Sequence, residues 1–208
     1  MKRLRVSASD LDAFRRFKAS EDIPLTDLLA QLRRELPPTP AMLAGTALHK
    51  ALELVEAGEF EALEANDHRF MFADEVEISL PDIREMKVTA ERQIGDVLVT
   101  LVGMVDAVQG RSVTDHKFTG RFDPERFLNS YQWRVYLDLF DADRFEWIVY
   151  EAKEVDDRAF LVTDVHRLTA HRYPGMSDDL NRELSAFVDF AKVHLMDEAA
   201  QQAVEGVA

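Results

Sequence analysis

Leu101-Val-Gly-Met-Val-Asp106-Ala-Val-Gln-Gly-Arg-Ser-Val-Thr-Asp115-His-Lys117 reads as two β-strands joined by a tight turn. Val102, Met104, Asp106 and Val108 alternate along the first strand, Val113, Asp115 and Lys117 along the second, and Gly110-Arg111 falls at a two-residue hairpin turn. With Gln109 opposite Ser112, counting outward sets Asp106 opposite Asp115 on one face, with Cβ atoms roughly 4.5–5.5 Å apart. Lys117 follows Asp115 by one side-chain period. Two like charges so placed destabilise a sheet unless something binds between them. A divalent cation, magnesium or manganese, suits hard oxygen ligands and removes the repulsion. The plain alternative is a solvated acidic pair. Against it, the same face carries Val102, Met104, Val108 and Val113, and is expected to be apolar.

The 208 residues are 47% hydrophobic and 31% charged, which describes a globular chain long enough to bury a core and excludes disordered and fibrous classes. The whole chain is expected to form one domain, 1–208, with residues 1–38 as an N-terminal helical arm. The absence of cysteine rules out disulfides, thiolate zinc sites and a cysteine-ligated iron–sulfur cluster, so a metal would need oxygen and imidazole ligands. The basic start, Met1-Lys-Arg-Leu-Arg5, is followed by no apolar run of signal or membrane-spanning length. A cytoplasmic protein without a membrane partner is expected. A formal charge of −14 argues against a non-specific duplex coater, which needs a basic surface. Charge is uneven, however: Lys2-Arg3-Arg5, Arg15-Arg16-Lys18 and Arg33-Arg34 crowd the first forty residues, and the stretch from Asp178 to Glu205 is mostly acidic.

Ser7-Ala-Ser9-Asp-Leu-Asp12 carries a cap residue with an acid three positions on, ahead of Phe14 and Phe17, and reads as a helix start. Leu25 to Leu36 continues as helix. Thr39 then caps a helix with Pro40 at its first position, with Leu48, Ala51, Leu52 and Val55 at helical spacing and Gly58 as its stop. Val76-Ile78-Leu80, Met86 to Ala90 and Val97 to Val102 read as strands. Asp123-Pro124 opens a helix to about Phe140, Phe145–Tyr150 and Phe160–Val165 form a hairpin around Asp156-Asp157, and Ser177 or Asp178 caps an amphipathic helix through Leu195. This order of elements describes an α/β (α+β) chain, a mixed sheet with helices packed on it.

On the helix after Pro40, Gly45, His49 and Glu53 share a face, and a glycine there lets a backbone or phosphate approach. Gln132 and Tyr136 lie one turn apart on the later helix. Taken in order, Gly45-Thr-Ala-Leu-His49, Gly103-Met-Val-Asp106, Asp115-His-Lys117 and Gln132-Trp-Arg-Val-Tyr136 resemble the motif set of the RecB-like branch of the PD-(D/E)XK nuclease superfamily. Ser7-Ala-Ser9 resembles that branch's first segment, and the resemblance covers roughly residues 5 to 140. Some relatives hold an iron–sulfur cluster through cysteines. None exists here, so the resemblance is to the cluster-free members, such as phage recombination exonucleases. The chain is also not expected to be a helicase–nuclease by itself.

The resemblance implies a restriction-endonuclease-like core, a central mixed sheet flanked by helices. It implies metal-dependent hydrolysis of DNA, with Mg2+ or Mn2+ held by Asp106, Asp115, the His116 backbone carbonyl and His49. Lys117 would orient the nucleophile and stabilise the transition state. Gln132 and Tyr136 would supply neutral hydrogen bonds, and Glu53 would lie behind the ligands or be an exposed helix carboxylate. The His116 side chain points to the face opposite Asp115 and is given no role. His68, His166, His171 and His194 lack metal spacing and are expected at the surface, and Trp133, Phe140 and Trp147 in the core. The implied activity is a metal-dependent deoxyribonuclease, an exonuclease of recombination or repair. Its implied partners are DNA, a single-strand annealing protein or other recombination factor, and further copies of itself. Two competing functions are a non-catalytic binding or assembly module on the nuclease fold, which the acidity favours, and an acidic DNA mimic, which leaves the motifs unexplained.

Overall fold

The computed structural model describes residues 2–55, 58–78 and 83–196. In chain order its elements are β1 (Lys2–Ser7), α1 (Ala8–Ala19), α2 (Leu25–Leu32), α3 (Pro40–Leu54), β2 (Gly58–Ala65), β3 (His68–Ile78), β4 (Ile83–Ile94) and β5 (Val97–Gln109). They continue with β6 (Ser112–Thr119), α4 (Pro124–Leu128), α5 (Gln132–Leu139), β7 (Arg144–Asp156), β8 (Ala159–His171) and α6 (Met176–Ala191), followed by a π-helical turn over Lys192–Met196. The strands form one mixed sheet in the order β1-β5-β6-β7-β8-β3-β2, and β4 also pairs with β5.

Alternation along β7 builds two cores. Phe145, Trp147 and Val149 pack with α1, α5 and α6, while Ile148 and Tyr150 pack against α3 with Phe70 and Val162. Side chains of period two on a central strand demand cover on both faces, and the helices supply it. The expected mixed sheet flanked by helices is therefore what the chain forms.

β5 is the strand that makes room for a site. A strand has two edges, and β4 runs antiparallel along one of them from Ile83↔Val108 to Ile94↔Val97. The other edge is shared: β1 runs parallel beside Val97–Val102, and β6 pairs antiparallel at Ala107↔Thr114, Val108↔Val113 and Gln109↔Ser112. Gly103 to Asp106 fall between the two partners. Gly110, with φ of +58°, closes the β5–β6 hairpin in a conformation glycine adopts without strain.

Several expectations shift. Residues 1–38, expected as a helical arm, begin as strand β1, and Val6, Leu11, Phe14 and Leu28 lie in the larger core. α2 stops at Leu32 because Arg34 turns left-handed (φ +62°), held there by its guanidinium on Asp10 at 2.6 Å. The expected helix from Pro124 to Phe140 breaks into α4 and α5. There Ser130 takes the Phe127 carbonyl through both its N–H and its hydroxyl, while the Tyr131 N–H is drawn to Asp12 Oδ1 at 2.5 Å. Gly58 opens β2 rather than ending α3, which is capped at Val55. α6 starts at Met176 behind Gly175, not at Ser177 or Asp178. The β7–β8 turn centres on Asp157-Arg158, one residue later than expected. Leu80 lies outside the described residues.

Candidate active site

Four elements deliver side chains to the gap beside Gly103–Asp106. α3 begins where Thr39 Oγ1 accepts the Met42 N–H at 3.2 Å, with Pro40 at its first turn. That start sets the turn on which His49 faces β5, with His49 Nδ1 3.0 Å from Asp106 Oδ1. The His116 N–H donates to Asp106 Oδ2 at 2.6 Å. The β5–β6 ladder ends at Ala107↔Thr114, so Asp106 does not sit in a regular pair with Asp115 as the sequence suggested; its carboxylate satisfies the β6 amide where no β5 carbonyl pairs with it.

Asp115 is buried in the β6 row beside Trp147, toward α5. Gln132 Nε2 donates to Asp115 Oδ1 at 2.9 Å, and the Lys117 ammonium forms an ion pair with Oδ2. Oδ2 is otherwise buried without a well-directed hydrogen bond. Tyr136, one turn along α5, lies over Gly103, where a Cβ would stand 3.1 Å from its ring and 2.7 Å from Leu139. His116 points the other way, its ring 3.3 Å from the Tyr150 hydroxyl. Thus α3 reaches the gap from one face and α5 from the other.

Electrostatics separate the two carboxylates. Burial pushes Asp115 above the usual carboxylate range, with the charge of Asp106 adding to it and Lys117 opposing. Burial works the same way on Asp106, but the His49 hydrogen bond and charge and the His116 amide hold it below that range. His49 is raised: burial opposes its charge, and Asp106 outweighs burial. His116 is pushed down to about 4 by burial and stays neutral. Burial and the nearby Asp115 charge push the Tyr136 phenol upward.

The residues fit a divalent cation. A buried carboxylate oxygen with only an ammonium beside it has unused acceptor capacity, and a hard cation is the partner such an oxygen lacks. His49 Nδ1 is engaged with Asp106 here, so ligation through that nitrogen would exchange the contact for the ion, while Nε2 is not part of it. The described residue trio whose ligand atoms all lie within 4.8 Å of one another is a different one, Glu151, Asp164 and His166 on β7 and β8. His166, expected simply at the surface, is 2.9 Å from Glu151 Oε2 and stacks on Phe122 at 4.1 Å. Cross-strand partners bring the trio together, a signal that sequence spacing does not carry.

The expected apolar face is not closed: Met104 is 57% exposed and opens onto the cleft. One arm of that cleft, about 400 Å³, is bordered by Arg5, Arg15, Arg16, Arg126 and Lys117, with Asp12 the one acid among the described residues that line it. A second arm on the α3 side passes Gly45, His49 and Asp106, and Met104, Lys117 and Arg126 border both. Above Gly45 the nearest atom to a Cβ would be Phe118 Cβ at 3.9 Å, so the space beside that glycine is open groove. Glu53 is bound to Lys50 Nζ at 2.6 Å. Of the basic residues near the N-terminus, Arg15 and Arg16 reach the cleft, whereas Lys18 pairs with Glu183 at 2.6 Å and Arg34 with Asp10. Arg5 and Arg126 were missed, the first because β1 was not anticipated and the second because α4 is brought over the site only by the break before α5.

No family model matches this chain, and no curated protein matches it. Solved structures do. That of SSO0001 has 16% identity and a TM-score of 0.54, covering 89% of this chain and 76% of that one, which shows a shared fold. An alkaline exonuclease, LHK-Exo, from Laribacter hongkongensis has 15% identity and a TM-score of 0.47 over 98% of this chain and 95% of that one. LHK-Exo in complex with dAMP has 14% identity and a TM-score of 0.44 over 98% and 94%.

Proposed function

We propose that this chain is a metal-dependent deoxyribonuclease of the PD-(D/E)XK type, acting as an exonuclease in recombination or repair. The observation that carries the reading is the convergence of His49, Asp106, Asp115 and Lys117 at the gap in β5, beside an arginine-lined cleft in a protein of net charge −14. An acidic DNA mimic has no use for such a cleft.

A divalent cation held by Asp106, Asp115, the His116 backbone carbonyl and His49 would supply Lewis-acid charge neutralisation at the scissile phosphate. The protein's own groups do the rest. Arg5, Arg15, Arg16 and Arg126 bind the phosphate backbone. Lys117, held by Asp115, presents its ammonium to the attacking water and to the charge that develops on phosphorus. Gln132 fixes Asp115, and Tyr136, kept protonated by burial, offers a neutral hydrogen bond. Water oxygen bonds to phosphorus as the bond to the leaving sugar oxygen breaks, with a proton lost from the water and one taken up from solvent by the leaving oxygen. Annealing proteins and further copies of the chain remain the partners such an enzyme would use.

The test is incubation with end-labelled linear duplex and single strands, with magnesium, with manganese and with EDTA. Metal-dependent release of mononucleotides or short products from one end is expected. Intact DNA under all metal conditions would overturn the reading, and internal cuts without end dependence would replace exonuclease by endonuclease.

A further inference from the structure

The arm on the α3 side has no task in the reading above beyond passing the site. Its near part, about 800 Å³, is bordered by His49, Asp106 and Lys117, and its far part, about 890 Å³, by Phe118, His68 and Phe160. Thr39, Ala41, Thr46, Asn66 and Phe118 border both parts, so the two are one channel leading away from the carboxylates.

Flat rings make the far end. β3 and β8 run parallel with Phe70 beside Phe160, and Phe70 is fully buried behind the wall. The His68 and Phe160 rings lie within 9° of parallel at 6.2 Å, and Phe118 meets Phe160 edge-on at 5.2 Å. His68 Nδ1 lies 2.7 Å from the Asn66 carbonyl, a contact that fixes the ring plane when Nδ1 carries its proton. Three half-buried aromatic side chains thus show part of their surface to the channel. The cations that border this arm alone are already engaged, Lys50 with Glu53 at 2.6 Å and Arg158 with Asp67 at 3.6 Å, while Lys117 and Arg126 stand at its junction with the first arm. The far end of this arm therefore differs in chemistry from the first arm, which offers charge to phosphates, in presenting aromatic side chains.

We propose that the aromatic end of this channel is a stacking site for one unpaired nucleobase of the strand whose phosphate lies at Lys117. The inference rests on the nuclease reading and adds a substrate class to it: DNA unpaired on the α3 side of the scissile bond. A base inside a duplex has both faces covered by its neighbours. An unpaired base has a free π-face, and stacking on protein rings is tolerant of sequence. Continuity of the channel with the carboxylates selects a nucleobase over an unrelated apolar ligand.

The test uses thymidine 12-mers, each with a single abasic residue at a different position, titrated in calcium by fluorescence anisotropy. The proteins are wild type, His68→Ala and Phe160→Leu, the last keeping apolar volume in the wall, with each melting temperature measured. Loss of the base at one or two adjacent positions should weaken wild-type binding about tenfold. The variants should bind the intact oligonucleotide about as weakly and be indifferent to the abasic position. A flat abasic scan in wild type, or the wild-type pattern retained in both folded variants, would overturn the stacking site. Adding magnesium or manganese to the same wild-type samples, with a linear duplex alongside, separates the two readings: cleavage with a flat scan rejects only the stacking site, and a sensitive position with neither DNA cleaved rejects only the nuclease.

Discussion

Asp12 shows at the scale of one residue how the fold ties charge to the site. Its carboxylate holds the Tyr131 amide that breaks α4 from α5, and it stands in the cleft beside Arg15 and Arg16. Burial raises it above the usual carboxylate value, against the Tyr131 hydrogen bond and the neighbouring cations. An acid raised on folding binds protons more readily in the native than in the unfolded state, so stability falls as pH rises from about 4 through the folded value and stays lower at neutral pH. Asp12→Asn keeps the oxygen that accepts the Tyr131 N–H. It should flatten that part of the pH profile, raise the melting temperature at pH 7 and tighten DNA binding by removing a negative charge from the cleft. An unchanged profile from pH 4 to 7 would contradict this. The sequence marked Asp12 only as part of a helix start and not as a residue of the cleft, because its partner Tyr131 is 119 positions away. Asp106, Asp115 and Lys117 could be picked out as candidates from a short local pattern, and His49 only through the resemblance.

Among the elements, the β5–β6 hairpin was readable because alternation and a glycine turn determine it locally. The starts of α3 and α4 were readable because Thr39-Pro40 and Asp123-Pro124 are caps. β1 was not, since Lys2, Arg3 and Arg5 outnumber its one buried side chain, Val6, and parallel pairing with β5 is decided by tertiary packing. The same pairing explains why the cross-strand pair failed at Asp106: two partners share one edge of β5, and the ladder stops before the carboxylate. Gly103 is where this arrangement meets α5. Gly103→Ala would drive a Cβ against the Tyr136 ring and Leu139, and should cost about 1–3 kcal/mol of stability. It should also slow cleavage more than it weakens DNA binding, because Tyr136 and Gln132 shift while the cleft arginines do not. Wild-type stability and rate in this variant would show that α5 does not need so close an approach.

Over the whole molecule, segregation of charge would reconcile acidity with the proposed DNA binding. The net charge is −14, yet Arg5, Arg15, Arg16 and Arg126 face one cleft. Arg5→Gln, Arg16→Gln and Arg126→Gln should each weaken DNA binding and lower the log–log salt slope by about 0.7 to 0.9 per lost phosphate contact. Arg33 reaches the His194 carbonyl at 3.3 Å and Arg34 holds Asp10, so Arg33→Gln with Arg34→Gln should leave the slope unchanged. A slope that follows Arg33 and Arg34 instead would move the DNA to another face. That DNA is hydrolysed at the gap in β5 is the proposal on which the rest depends. Its most direct test compares single-turnover cleavage of one labelled linear DNA by wild type, Asp115→Asn and Lys117→Ala in manganese, each purified identically and shown to be folded and to bind the DNA. Cleavage by wild type is expected and, in both variants, a rate about a hundred- to a thousandfold lower, the usual cost of losing one preorganised transition-state contact. Cleavage at the wild-type rate in either variant would contradict it.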